Sequence, residues 1–168
     1  YPFWLRSVTG SWRNAWKLEK KLGNHTWHPL LGQSAGLLMQ VLYLVLVWWL
    51  AGPLAAACFV AAAVIGFLLL ESVNYIEHYG LVRARMDSGR YAPIEPGHSW
   101  NSNHELGRIF LYELTRHSDH HYRSTRKYQI LRHLDEAPQL PCGYPAAIVL
   151  AMIPPVWRRL IDPRIPVH

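Results

Sequence analysis

The sequence predicts an all-α fold: an integral-membrane helical protein with a transmembrane hairpin and a cytoplasmic helical cap that carries histidine motifs. Three observations predict it. Positions 22–70 contain no Asp, Glu, Lys or Arg. Basic residues crowd both ends of that run. Beyond it, histidines gather in short segments at helical spacing. The chain has 168 residues, enough for one domain, and 51% of them are hydrophobic.

Leu30–Leu50 and Pro53–Leu70 are each close to the roughly 20 apolar residues that a membrane helix needs. Gly52-Pro53 between them joins a turn residue to one that starts helices but cannot continue them. A soluble helix pair would show charge on an outer face every third or fourth position, and this run shows none. Trp48 and Trp49 suit a membrane interface. Spans are therefore expected at about 30–50 and 53–79, the second continuing past Glu71 until Gly80 offers a helix end.

Arg6, Arg13, Lys17, Lys20 and Lys21 face the single acid Glu19 before the run, and Arg83, Arg85 and Arg90 follow it. Short loops rich in Lys and Arg stay cytoplasmic. Both ends of the hairpin, and the histidines after it, are expected there. The net charge of +6 fits anchoring to the anionic headgroups of the lipid bilayer. The basic residues form no stripe with stacking aromatics, so no nucleic-acid partner is expected. Cys58 in an apolar span and Cys142 in a Pro/Gly-rich loop predict neither a disulfide nor a thiolate metal site. A chain that starts without Met and shows no cleavable signal peptide reads as a fragment of something longer.

Leu114-Thr-Arg-His-Ser-Asp-His-His121 carries His117, His120 and His121 at i, i+3 and i+4. On a helix these share one face, and imidazoles that converge are good ligands for transition metals. A helix is expected from Glu105 to about His121, with Leu106, Ile109, Phe110 and Leu114 as its apolar face. The second helix carries His78 up to or just beyond the membrane surface, roughly 12 Å past the last purely apolar position. His78, His117, His120 and His121 are the candidate ligands. His98 and His104 flank the polar motif His98-Ser-Trp-Asn-Ser-Asn-His104 and are read as ligands or as partners behind them. His25, His28, His133 and His168 stand isolated. The sequence has neither the two Glu-x-x-His segments of a carboxylate-bridged di-iron bundle nor a His-Glu-x-x-His motif. A metal transporter would place ionisable groups within the spans, and both spans lack charge and histidine.

Asn74-Tyr-Ile-Glu-His-Tyr-Gly-Leu81 and Leu114–His121 resemble two signature motifs of the integral-membrane alkane 1-monooxygenases, in the wider histidine-box superfamily of membrane fatty acid desaturases and hydroxylases. The His98–His104 motif, the segment 126–132 and Pro154-Pro-Val-Trp-Arg158 are similar to that family too. Thr115 and Tyr122 depart from the pattern, where Gln and Ala are usual. The resemblance implies that residues 1–168 are the C-terminal part of a single desaturase/hydroxylase-like domain, with the cytoplasmic histidine-motif region at about 74–133. Two earlier histidine boxes of that family are missing here, so the chain alone should not hold a complete metal centre.

Further implications are two non-haem iron ions, oxidation of n-alkane to primary alcohol with O2, and electrons from rubredoxin, itself reduced by rubredoxin reductase. The location implied is the bacterial inner membrane, multi-pass. Ligands would be His78, His117, His120 and His121. Glu77, Asn101, Glu113 and Asp119 would be acceptors that fix imidazole tautomers. Related chemistry on alkyl-aromatics or fatty acids, or fatty-acyl desaturation, is the alternative.

Overall fold

A computed structural model describes residues 2–23 and 32–166 of the chain. Leu30 and Leu31 of the first expected span, and His25, His28 and His168, lie outside the described residues. The chain divides into two compact units, Tyr1–Glu71 and Ser72–His168. Among the described residues the regular elements are helices joined by loops, and the β pairing is confined to isolated bridges between Arg85 and Tyr91 and between Asn101 and Gln139.

The first unit opens with α1, Pro2–Lys21, which the sequence reading left without an element. Phe3, Trp4, Ser7, Gly10, Ala15, Trp16 and Glu19 are its half-buried positions, most of them recurring at three- and four-residue spacing. Lys20 and Lys21 complement the negative end of its dipole. The apolar run follows as α2, Gly32–His78, interrupted at Gly52. There φ is 84° and ψ is 176°, a region open in practice only to glycine. The Tyr43 and Phe59 rings lie 5.2 Å apart. On a straight helix, sixteen residues at 1.5 Å each would separate them by about 24 Å, so the chain turns back at Gly52. The most apolar stretch of Ser34–His78 is long enough to cross a membrane, and none of it is buried within the protein.

The second unit forms around the last turns of α2. Ile76 is fully buried with Trp100, Leu140, Tyr144, Ala147, Trp157 and Ile161. α2 ends at His78, and Gly80 at φ 71° turns the chain away. A Cβ at Gly80 would strike the Ile165 side chain. After the turn at Gly89 and a single 3₁₀ turn at Pro96–His98, the chain passes extended through Ser99–Asn101. α5, Tyr144–Ala151, and α6, Pro154–Ile161, then close the core, each carrying proline in its first turn.

The single helix expected over 105–121 is two. α3, Glu105–Phe110, and α4, His117–Tyr122, are separated by a break with Tyr112 at φ 50° and Glu113 at φ 62°. The expected apolar face fails with it: Leu106, Ile109 and Phe110 are exposed. The cause lies in tertiary ties rather than in a breaker residue. Glu113 N–H donates to the Arg108 carbonyl, and its carboxylate takes Arg108 at 2.8 and 2.9 Å and Arg116 at 3.3 Å. Beyond them, Ser102 N–H donates to the carbonyl of buried Thr115.

Candidate metal centre

His78 reaches the centre because α2 runs unbroken from Pro53 to its last residue. His117 and His121 reach it because α4 survives the helix break, so the i, i+4 geometry is kept. The Nε2 atoms of His78 and His117 stand 3.3 Å apart. The His121 ring lies 4.3 Å from that of His117 and 5.1 Å from that of His78, centroid to centroid. One ligand atom from each ring falls within 4.8 Å of the other two. Two nitrogens bound to one ion at about 2.1 Å lie about 3 to 4.2 Å apart, so sub-ångström closure would fit these three around a metal. His120 is beside this group, its ring 5.6 Å from that of His121 and 5.8 Å from that of His117.

The electrostatics favour the ligand form of the rings. Burial, then repulsion by His121, His78 and His120, pushes the His117 imidazole down to about 2. Burial, then His78 and His120, pushes His121 down to about 4. Both rings are therefore neutral near pH 7, with a lone pair free for a cation.

The His98–His104 motif acts as the spacer that sets these ligands in register. On one side Trp100 N–H donates to the Glu77 carbonyl, and its indole N–H donates to the Tyr79 carbonyl, both at 2.8 Å. On the other, Ser118 Oγ–H donates to the Ser99 carbonyl at 2.8 Å. Asn101 Oδ1 accepts the Ser118 N–H at 2.8 Å, satisfying a donor that the start of α4 leaves open. Asn101 thus holds a backbone group rather than an imidazole. The flanking histidines stay outside the cluster. His98 Nδ1 accepts from Glu95 N–H at 2.9 Å, and exposed His104 precedes α3.

Of the four expected acceptors, Glu77 touches a ligand: its Oε1 lies 3.2 Å from His117 Nδ1. Glu113 and Asp119 give their carboxylates to arginine instead. Asp119, fully buried, accepts from Arg126 at 2.6 Å and from the Arg132 backbone and guanidinium at 2.9 and 3.0 Å. Burial alone would raise the Asp119 carboxyl, but these donors outweigh it and hold it below its ordinary range. His133 pairs with Asp135 at 3.2 Å, away from the centre. Sequence reasoning missed Tyr144, whose hydroxyl donates to Glu77 Oε1 at 3.0 Å. Its position after Pro-Cys-Gly, 67 residues from Glu77, carries no local signal of that contact.

The chain is similar to known proteins over nearly its whole length. The alkane 1-monooxygenase 2 of Pseudomonas aeruginosa is 44% identical over 178 residues, covering 98% of this chain and 45% of the relative. The alkane 1-monooxygenase of Acinetobacter baylyi is 41% identical over 178 residues, covering 100% and 42%. The hydroxylase component of the Pseudomonas putida xylene/toluene monooxygenase is 32% identical over 166 residues, covering 96% and 43%. The chain spans less than half the length of these curated relatives. The model of the fatty acid desaturase family matches residues 1–148. With that match, the long apolar element and the three converging imidazoles, the chain is a metal-binding membrane protein and belongs to the fatty acid desaturase family.

Proposed function

We propose that the chain is the C-terminal part of a non-haem di-iron monooxygenase of the bacterial inner membrane. It would hydroxylate the terminal methyl of n-alkanes to primary alcohols, drawing electrons from rubredoxin. One oxygen atom of O2 enters the alcohol; the other leaves as water, with two electrons and two protons consumed. The observation that carries this reading is the convergence of His78 with His117 and His121. The relatives' names supply the substrate class.

Two bound irons would supply the oxygen activation that an unactivated methyl C–H bond demands, since that bond offers nothing to an acid, base or nucleophile. His78, His117 and His121 would hold one ion, and His120 is left for the second. Glu77, 3.2 Å from His117 Nδ1, would hold the proton of that ring on Nδ1 once a metal binds Nε2. The 126–132 segment, tied to buried Asp119, keeps α4 in place. The basic flanks of the charge-free run favour a multi-pass topology with this centre on the cytoplasmic side.

A second reading, oxidation of a methyl group on an aromatic ring, has the similarity to the xylene/toluene hydroxylase component behind it. The test is a whole-cell assay of octane-to-octanol and xylene-to-methylbenzyl-alcohol conversion. It uses the full polypeptide carrying this chain, or a chimera with this chain replacing the matching segment of the Acinetobacter baylyi relative. His120→Ala should remove activity beyond the roughly 10–100-fold loss typical of a partner behind a ligand. His133→Ala should leave most of it. Equal activity of the two variants would sink this partition of the histidines, and xylene as the better substrate would favour the second reading.

A further inference from the structure

We propose that Tyr144 is a positioning residue for the metal centre: acting through Glu77, its hydroxyl fixes the His117 ring so that Nε2 faces the ion. The inference rests on the metal-centre reading given above. Three buried groups stand in series. Tyr144 O–H donates to Glu77 Oε1 at 3.0 Å, the same oxygen lies 3.2 Å from His117 Nδ1, and His117 Nε2 lies 3.3 Å from His78 Nε2. Tyr144, Glu77 and His117 are 0%, 1% and 6% exposed, so bulk water is no substitute for any link.

In a neutral imidazole one nitrogen carries the proton and the other offers a lone pair. A carboxyl oxygen that accepts at Nδ1 selects the Nδ1–H form and leaves the lone pair on Nε2, the atom turned toward His78. Glu77 cannot do this reliably by itself. The terminal torsion of a glutamate is broad, and rotation about it would carry Oε1 away from His117. Tyr144 removes that freedom because its own ring is set: it opens α5 and packs in the core with Ile76, Trp100 and Trp157. The His117 contact is off the line of a straight hydrogen bond, and a small rotation of the ring as a metal binds would align it. Burial and the Glu77 carboxylate keep the Tyr144 hydroxyl protonated, so it stays a donor.

The simpler alternative is that the hydroxyl only satisfies a buried carboxylate. Co2+ titration of the metal-free full polypeptide in detergent separates the two, with visible absorption reporting coordination. Tyr144→Phe keeps the ring and its packing. It should weaken Co2+ binding by roughly 10–100-fold and alter the absorption of the bound ion, while the metal-free melting temperature stays nearly unchanged. In a Glu77→Leu background, which has no acceptor, the same substitution should add nothing, because the link it acts through is already cut. Undiminished affinity in Tyr144→Phe would overturn the inference. So would an equal further loss in the Glu77→Leu background, or a Tyr144→Phe protein that no longer folds, since each gives the hydroxyl a purely structural role. A parent protein that binds no Co2+ would overturn the metal-centre reading and this inference with it.

Discussion

Asp119 lies between His117 and His121 in sequence, yet its carboxylate turns away from both and takes three donors from Arg126 and Arg132. Its burial makes those donors essential: a carboxylate stripped of water and left unpaired is costly. Asp119→Asn keeps the shape and removes the charge. It should cost about 2–3 kcal/mol of stability, below the cost of breaking a fully buried pair because Arg132 is half exposed to water. The substitution should also free the 126–132 segment from α4. Limited trypsin digestion in detergent reads this directly, with faster cleavage at Arg126 and Arg132. An unchanged cleavage rate would show that the strap is held by something else. The histidines were legible in the sequence because metal ligation demands a residue type and a spacing. The partners of Asp119, Glu113 and Glu77 were not, because any of these acids could have met an imidazole. Tertiary placement alone decided that two met arginine and one met His117.

The break at Gly52 lies where the sequence pattern puts it. A charge-free run needs a break to form two arms, and Gly52-Pro53 supplies both halves of it: a backbone state closed to other residues, then a ring preset for the next helix. Gly52→Ala should therefore cost about 1–3 kcal/mol, read as a lower unfolding midpoint in detergent. Pro53→Ala, which loses only that preset, should cost much less. Equal shifts would mean that the strained state at Gly52 does not set the turn. The division of 105–121 into α3 and α4 was not legible for the opposite reason. No residue there demands a left-handed backbone, and Tyr112 and Glu113 adopt one at a cost of roughly 1–2 kcal/mol each. The Arg108–Glu113–Arg116 cluster and the Ser102–Thr115 bond offset that cost. α1 escaped notice because its charged positions were read as membrane flanks, while its half-buried face recurs at helical spacing.

At the scale of the whole molecule, the decisive pattern is what the apolar run leaves out. Most of its described side chains, Trp49 at 79% and Leu54 at 77% exposure among them, stand exposed, and a bilayer would supply their cover. A run that turns back once inside a bilayer must bring both ends out on one side. Lys and Arg at both ends would select the cytoplasm. Lys21 and Arg83 should thus share the cytoplasmic face, while Ala51 reaches the opposite one. The check is single-cysteine labelling in intact cells, with Cys58 and Cys142 replaced by Ala and cysteine placed in turn at 21, 51 and 83. A membrane-impermeant thiol reagent should label position 51 and leave 21 and 83 unlabelled until the membrane is opened. If 21 and 83 differ, an odd number of crossings separates them. The charge-free run would then cross once, and the basic flanks would no longer share a side. The cytoplasmic placement of the histidines would then lose the argument that supports it.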